Sequence, residues 1–262
     1  LCLSVSSSDE KYIFFVLKIH QLQGHIQSIY LVEYPEKLLL LDGCCRPDIE
    51  MLEQFITVEL RRPFDDLRLV VVTHMHPDHA GAAHKLRKKT GCEIASANMS
   101  TQWYKGLGGR FMHLVDIGLA AWVASRMGKD RKNLWYSPHL KIDHALTDQD
   151  TLPGFDDWCV FCTPGHTDRD LSVWHIPTKR VYVGDLLVKV KDRFIPPIPV
   201  NYPNQYRDSI MKIQALGPES MMLAHGREVT LTERDYAHVL TVAPRKPFTI
   251  WTPAKSKLKR LL

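Results

Sequence analysis

The sequence predicts a fold that combines strands and helices, because strand-like and helix-like segments alternate early in the chain and strands return near its end. The early apolar runs typical of strands lie at residues 12–20, 26–33, 38–41 and 67–73. Residues 97–150 show no clear strand pattern and interrupt the alternation. Strand patterns resume afterwards, at residues 158–163, 171–176, 180–183 and 221–224. We therefore expect a strand-rich body with an insert near residues 97–150.

Helical periodicity fills the connections between these strands. The predicted helices lie at residues 47–60, 80–89, 204–216 and 231–241, and Gly91 follows the second of them as a C-cap. The chain has 262 residues, of which 45% are hydrophobic and 24% charged, which is ordinary for a globular protein. We expect one domain over residues 1–262, with a basic, partly ordered tail from about residue 244.

The most apolar part of the insert is residues 111–127, which predict a helix with hydrophobic side chains on nearly every face. Such a helix is expected to be buried, at an interface or in lipid. Its 17 residues are short for a membrane span, where about 20 are needed. The remaining interpretations are a helix packed on its own domain, a homodimer contact, a lid over an apolar substrate, or a membrane-surface helix.

The charge and the cysteines bear on compartment and partners. Basic runs at residues 84–89, 126–132 and 255–260 contribute to a net charge of +5. They could face an anionic substrate, acidic lipid or nucleic acid, although each run alone fits a solvated surface and nucleic acid is the least favoured partner. Six cysteines without a disulfide-like framework indicate reduced thiols and a cytoplasmic protein that could be peripheral to a membrane. The chain does not begin with methionine, and its first residues do not resemble a secretory signal.

Four metal-capable side chains occur within six residues, directly after the predicted strand at residues 67–73. They are His74, His76, Asp78 and His79. Imidazole nitrogen and carboxylate oxygen together suit zinc and related metals. His74 and His76 lie two residues apart and point the same way in an extended segment, whereas Asp78 and His79 lie where a helix begins. The loop can thus serve two adjacent ions, the alternative being a histidine-rich surface loop.

Three later strands also end at a metal-capable residue: His166, Asp185 and His225. Glycine lies next to each of them and allows the backbone to turn tightly at a crowded site. Asp42 follows the run at residues 38–41 and is either a group that holds a ligand histidine in place or an ordinary turn residue. The clustering of such residues at strand ends predicts a metal site.

As a set, these motifs resemble the metallo-β-lactamase superfamily over residues 12–240, and in particular its glyoxalase II and lactonase-like hydrolases. The resemblance implies an α+β fold, a four-layer αββα sandwich with the metals at one edge. It assigns His74, His76 and His166 to a first ion, Asp78, His79 and His225 to a second, and Asp185 to a bridge. We also expect Asp42, Thr73 and Thr167 to support these ligands.

The expected activity is a metal-dependent hydrolase that uses the hydroxide of a dinuclear site to cleave an ester, thioester or lactone of a lipophilic, acyl-bearing small molecule. Asp78 would orient the water or accept its proton. The cofactors would be two divalent ions, with zinc expected first and iron or manganese as alternatives. Only 37 residues follow His225, which is short for the glutathione-binding extension of glyoxalase II. The rival interpretations are a mononuclear iron dioxygenase of the persulfide-dioxygenase type and a nucleic-acid phosphodiesterase.

Overall fold

The computed structural model describes residues 17–249, in which two six-stranded mixed sheets pack against each other. The first sheet contains, in spatial order, β1 (Lys18–Gln23), β2 (Ser28–Glu33), β3 (Leu38–Leu41), β4 (Leu67–Val72), β5 (Glu93–Ala97) and β6 (His144–Leu146). The second contains β7 (Thr151–Leu152), β8 (Phe155–Cys162), β9 (Leu171–His175), β10 (Arg180–Tyr182), β13 (Ser220–Met222) and β14 (Glu228–Val229), in the order β14-β13-β10-β9-β8-β7. A separate hairpin joins β11 (Val188–Val190) to β12 (Arg193–Ile195).

Helices cover the outer faces of both sheets. Over the first sheet, a 3-10 turn (Arg46–Asp48) leads into α1 (Ile49–Gln54) and a π-helical turn (Phe55–Glu59), and a second 3-10 turn (Phe64–Asp66) precedes β4. Two short helices follow β4, α2 (Pro77–Ala80) and α3 (Ala83–Thr90), and the long helix α4 (Gly106–Arg126) follows β5. The second sheet is covered by α5 (Pro203–Leu216) and α6 (Glu233–Val242).

Strand β3 shows why a run of four leucines lies in the middle of the first sheet. Side chains alternate between the two faces of a strand, so Leu39 and Leu41 pack between the sheets, where Trp158 of β8 is their largest partner. Leu38 and Leu40 point the other way, into the layer formed by α1 and α3. All four are fully buried because both faces of this sheet are covered.

The outer face of the second sheet repeats this arrangement. Val181 of β10 and Met221 of β13 pack against Tyr206 and Ile210 of α5 and Val239 of α6. The order of layers is therefore helix, sheet, sheet, helix, and the predicted αββα sandwich is confirmed.

The sheets also determine where strand ends meet. Strands β3, β4 and β5 run parallel to one another, as do β10 and β13, so each set ends at a single edge of its sheet. The two edges are in contact: the Ser28 backbone N–H donates to the Ala224 carbonyl at 2.7 Å. The Tyr182 hydroxyl, at the end of β10, donates to Asp42, at the end of β3, at 3.0 Å. Residues that follow these strands therefore share one end of the sandwich.

The helix predicted at residues 111–127 is not enclosed by its own domain, so cover by a second subunit or by lipid stays a prediction. Helix α4 does form there, but Phe111, Leu114 and Trp122 are 60%, 52% and 61% exposed. Only one edge of the helix, which includes Ala120 and Ala124, packs on the body. Composition reports how apolar a helix is, but it does not report how many neighbours surround it.

Smaller differences concern element boundaries. The predicted strand at residues 12–20 begins outside the described residues, and β1 starts at Lys18. The predicted helix at residues 80–89 starts earlier, at Pro77, and is divided into α2 and α3. The insert contains one strand, β6, which the sequence did not reveal. Cys2 and most of the predicted basic tail lie outside residues 17–249. Within residues 17–249, no helix combines the length and hydropathy needed to cross a bilayer.

Candidate metal centre

The connection after β4 carries four of the predicted ligands. Within it the backbone changes from an extended to a helical conformation. His76 has extended backbone angles (φ −74°, ψ 157°) and caps α2, which Pro77 opens. Proline is favoured at a first helical position because its missing N–H would have had no partner there. Asp78 and His79 therefore lie in the first turn of α2. Together with His74, which precedes them, they are each less than one-tenth exposed.

The second sheet supplies the other three predicted ligands. His166 lies in the turn after β8, Asp185 follows β10 and His225 follows β13. The turn that carries His166 passes very close to α5: a Cβ atom at Gly165 would lie 2.6 Å from the Cα of Tyr206. Only glycine allows this approach, so Gly165 is required to present His166.

The structure brings His74, His76, His166 and Asp185 together as one candidate ligand group. The Nδ1 atom of His76 is 3.0 Å from the Nε2 of His74 and 2.9 Å from the Nε2 of His166. One oxygen of Asp185, Oδ2, is 3.4 Å from the Nε2 of His166 and 3.8 Å from that of His74. Ligands of a tetrahedral zinc ion, at about 2.0–2.1 Å from the metal, lie roughly 3.3 Å apart, so this group has the required dimensions.

Asp78, His79 and His225 form a second candidate group beside the first. The Oδ2 atom of Asp78 is 3.3 Å from the Nε2 of His225 and 3.7 Å from the Nε2 of His79. The second oxygen of Asp185, Oδ1, is 3.3 Å from the Nε2 of His225 and 3.5 Å from that of His79. Asp185 thus directs one oxygen toward each group, which is the geometry of a bridging carboxylate.

Two buried atoms of the centre have no hydrogen-bond partner. They are the Nε2 of His79 and the Oδ1 of Asp185, and both point into the second group. Buried polar atoms are almost always satisfied, so an unpaired acceptor nitrogen next to an unpaired carboxylate oxygen calls for a cation between them. The residues present therefore fit a metal ion at this position.

Asp42 fixes the orientation of His79. Its Oδ2 accepts a hydrogen bond from the His79 Nδ1–H at 2.6 Å, and it also accepts from the Thr73 hydroxyl at 2.7 Å and the Tyr182 hydroxyl at 3.0 Å. The Nδ1 proton of His79 is committed to this carboxylate, so Nε2 is the ring nitrogen that faces the second group. The backbone of Asp42 has φ +91°, which non-glycine residues rarely adopt, and these contacts hold it there.

His74 and His166 are also oriented by a hydrogen bond at Nδ1. The Thr73 hydroxyl already donates to Asp42, so it accepts from the His74 Nδ1–H, at 3.0 Å. A carbonyl oxygen can only accept, so the His166 Nδ1–H donates to Pro199, at 2.7 Å. Both rings therefore present an unprotonated Nε2 to the first group. Within residues 17–249 no hydrogen bond joins Thr167 to the ring of His166; Thr167 donates to Asp170 and shapes the turn.

Burial and charge shift the pKa of His74 and His76 in the first group and of His79 and His225 in the second in opposite directions. Burial, reinforced by neighbouring histidines, lowers the pKa of His74 and of His76 well below the usual value, so both are neutral, the form that binds metal. In the second group, burial is outweighed by nearby carboxylates, of which Asp185 acts on both rings, and these raise the pKa of His79 and of His225. The second group thus has the stronger attraction for positive charge.

Sequence reasoning missed the residues that α4 brings to the centre. Asp116 places its Oδ2 3.9 Å from the Nε2 of His76 and accepts from the Tyr104 hydroxyl at 2.8 Å. Burial raises the pKa of Asp116 to about 6. The Tyr136 hydroxyl lies 2.9 Å from that of Tyr104. The only early signal was an acid interrupting an apolar helix, which does not show the side that the acid faces.

A cavity of about 330 Å³ lies beneath α4 and opens on His76. Its lining is mostly apolar, and Asp116 is the acidic residue among the lining side chains. The lining residues are His76, Trp103, Tyr104, Gly109, Met112, Asp116, Leu119, Pro199, Asn201 and Thr249. A small apolar group could therefore be held against the first ligand group.

Comparison with known proteins agrees with the fold. The profile of the metallo-β-lactamase superfamily matches residues 22–225. A probable metallo-hydrolase of Bacillus subtilis, YflN, is 22% identical over 85% of this chain and 88% of its own length. A hydroxyacylglutathione hydrolase of Bradyrhizobium is 26% identical over 64% of this chain and 51% of its own. The crystal structure of a metallo-β-lactamase family protein, TTHA1429 from Thermus thermophilus, has a TM-score of 0.63, with 19% identity over 94% of this chain and 81% of its own.

Proposed function

The chain belongs to the metallo-β-lactamase superfamily, and from that membership we propose that it is a dinuclear metal-dependent hydrolase. Its substrate is an ester, thioester or lactone with a small lipophilic acyl group. The similarity to a probable metallo-hydrolase and to a hydroxyacylglutathione hydrolase supports hydrolysis as the reaction class.

The observation that carries the proposal is the position of Asp185. One of its oxygens lies 3.4 Å from His166 in the first group, and the other lies 3.3 Å from His225 in the second. A centre for a single ion would have no use for a carboxylate that faces two sets of ligands. The Asp185 side chain is 11% exposed, and although burial opposes it, the neighbouring His79 and His225 hold the pKa of its carboxyl well below the usual range, so it is ionised and able to bridge.

These contacts suggest a separate role for each group of the site. When bound, the pair of ions supplies an activated water and stabilises the negative charge that develops on the attacked oxygen. Asp42 and Thr73 keep the ligand rings in register, as their hydrogen bonds to His79 and His74 indicate. Asp78, whose Oδ2 is 3.3 Å from the Nε2 of His225, is the residue that we propose orients the water or accepts its proton.

The cavity beneath α4 supports a lipophilic acyl group. Met112 and Leu119 of α4 and Trp103 line it, and the metal ligand His76 lies at one side. A volume of about 330 Å³ is at the lower end of the range for small-molecule sites. An acyl chain held there would place its carbonyl next to the first ligand group.

The test of the proposal combines metal analysis with a substrate panel. Protein freed of metal by a chelator should lose turnover of acyl thioesters, lactones, p-nitrophenyl esters and a hydroxyacylglutathione. Zinc should restore turnover as two ions bind per chain, because the seven ligands form two groups. A single iron per chain with oxygen consumption would instead indicate a dioxygenase. Salt-sensitive binding and cleavage of RNA or DNA would indicate a phosphodiesterase.

A substitution in the cavity should change substrate preference. Leu119→Trp would fill space beneath α4, so kcat/KM for an octanoyl ester should fall by about 15- to 60-fold relative to an acetyl ester, as expected when two or three methylenes lose their contacts at ~0.8 kcal/mol each. Steady-state kinetics on the ester series measures this. Leu114→Trp, on the exposed side of the same helix, is the matched control and should leave the ratio unchanged. An equal effect of both variants would remove the cavity from the proposal.

A further inference from the structure

The outer side of α4 carries a continuous apolar stripe that the body of the protein leaves uncovered. Leu107, Phe111, Leu114 and Trp122 are 86%, 60%, 52% and 61% exposed. At about 100° per residue these positions fall within an arc of roughly 80° on one face of the helix. The four side chains expose on the order of 500 Å², which is as large as the largest apolar patch on a typical monomer.

The side of α4 opposite the stripe packs tightly against the body of the protein. His113, on the opposite side of α4, is only 2% exposed, and its ring lies 5.0 Å from the Tyr104 ring and 4.7 Å from the Tyr136 ring. Ala120 and Ala124 are also buried against the body. The helix therefore has a fixed inner edge and a fixed apolar outer ridge, about 22 Å long between Leu107 and Trp122.

Positive charge borders the stripe at both ends. Six cations flank it: Lys105, Arg110, Arg126, Lys129, Arg131 and Lys132. Within residues 17–249 none of the six is engaged in a salt bridge, and the Arg126 guanidinium lies 5.9 Å from the centre of the Trp122 ring. Of the acids in the same stretch, Asp116 faces the cavity and only Asp130 lies on the surface beside them.

This charge distribution distinguishes between possible occupants. A second copy of the chain docked about a two-fold axis on this stripe would bring two identical sets of cations together, which is unfavourable. An anionic bilayer satisfies both features, since the ridge can enter the interface while the cations meet lipid phosphates. We propose that α4 docks the protein on anionic membrane surfaces, with Leu107, Phe111, Leu114 and Trp122 inserted at the level of the headgroups.

The sequence beyond the described residues adds to this charge. Thr249, the last described residue, lines the cavity next to Met112 and Leu119 of α4. Residues 250–262 contain four cations and no acidic side chain; the cations are Lys255, Lys257, Lys259 and Arg260. The tail is therefore a second candidate for lipid contact, and the experiment must separate it from α4.

Vesicle co-sedimentation of the full, metal-loaded chain tests the proposal. Vesicles of equal parts phosphatidylcholine and phosphatidylglycerol should bind the protein, whereas phosphatidylcholine alone should bind it much less, and added salt should weaken binding. The variant Phe111→Ser/Leu114→Ser should reduce binding by about tenfold or more. Met211→Ser removes a 48% exposed apolar side chain from α5 and should have no effect.

Kinetics and sedimentation complete the design. The double variant should retain turnover of a short soluble ester, because Phe111 and Leu114 do not line the cavity. Unchanged vesicle binding by this variant would overturn the proposal, as would equal binding to neutral vesicles. So would a tail variant, Lys257→Glu/Lys259→Glu, that alone abolished binding. A wild-type dimer that the double variant dissociates, without vesicle binding by either, would identify a second copy as the occupant and also overturn it.

Discussion

Asp185→Asn is expected to lower kcat/KM by about 10³-fold and to reduce the bound metal from two ions per chain to about one. The amide has nearly the shape of the carboxylate but lacks its charge and can offer only one good ligand oxygen. In the structure each oxygen of Asp185 faces a different group, at 3.4 Å from His166 and 3.3 Å from His225. A 10³-fold loss corresponds to about 4 kcal/mol of transition-state stabilisation, within the range of one metal ion's contribution.

Metal analysis of the purified variant and steady-state hydrolysis of the best ester or thioester measure both effects. Asp168→Asn is the matched control, because Asp168 is a partly exposed acid close to His166 in sequence that pairs with Arg169 and belongs to neither ligand group. It should retain two ions and nearly full activity. If Asp185→Asn still bound two ions and lost less than about tenfold in kcat/KM, a bridging role for this carboxylate would be excluded.

The sandwich could be predicted because its layers follow from local patterns. Four consecutive leucines, Leu38 to Leu41, require a strand covered on both faces, and the structure provides a helix layer on one side and a second sheet on the other. The clustering of strand-end histidines and aspartates could likewise be anticipated, since the ends of parallel strands lie at one edge of a sheet. Parallel pairing of β3 with β4 and of β10 with β13 brings Asp42, His74, Asp185 and His225 to the same end of the molecule.

The sequence does not show which side of a helix or loop faces which neighbour, and the features that could not be predicted depend on this. Asp116 looked like an interruption in an apolar helix, yet it lies 3.9 Å from the Nε2 of His76. The acceptor for His166 is the backbone carbonyl of Pro199, and a carbonyl has no signature in a sequence. The exposure of Phe111 and Trp122 within the chain could not be predicted, because hydropathy cannot distinguish a helix surrounded by protein from one that rests on it by a single edge.

Replacement of Asp42 is expected to affect both stability and metal affinity. This carboxylate is 1% exposed and accepts hydrogen bonds from Thr73, His79 and Tyr182, which come from three different parts of the sandwich. Asp42→Ala would leave buried donors without a partner and should cost about 3–5 kcal/mol of unfolding free energy in the metal-free protein. Metal affinity should fall by about 10- to 100-fold, because the ring of His79 loses the group that orients it.

Urea unfolding of the metal-free protein and competition with a chromophoric chelator measure these two quantities separately. Asp48→Asn is the matched control: Asp48 is also buried and accepts from the backbone N–H groups of His25 and Cys45, at 2.7 Å and 3.0 Å, but it contacts no ligand ring. It should lower stability and leave metal affinity unchanged. A loss of affinity as large as that of Asp42→Ala would show that affinity only follows general stability.

Asp42→Gly separates the side chain from the backbone. Asp42 has φ +91°, a region that glycine enters freely and alanine does not. The glycine variant should therefore be more stable than Asp42→Ala, by about 1 kcal/mol or more, yet it should show the same loss of metal affinity, because both variants lack the carboxylate that holds His79. Recovery of affinity together with stability in Asp42→Gly would mean that backbone geometry, and not the hydrogen bond to Nδ1, prepares His79 for the metal.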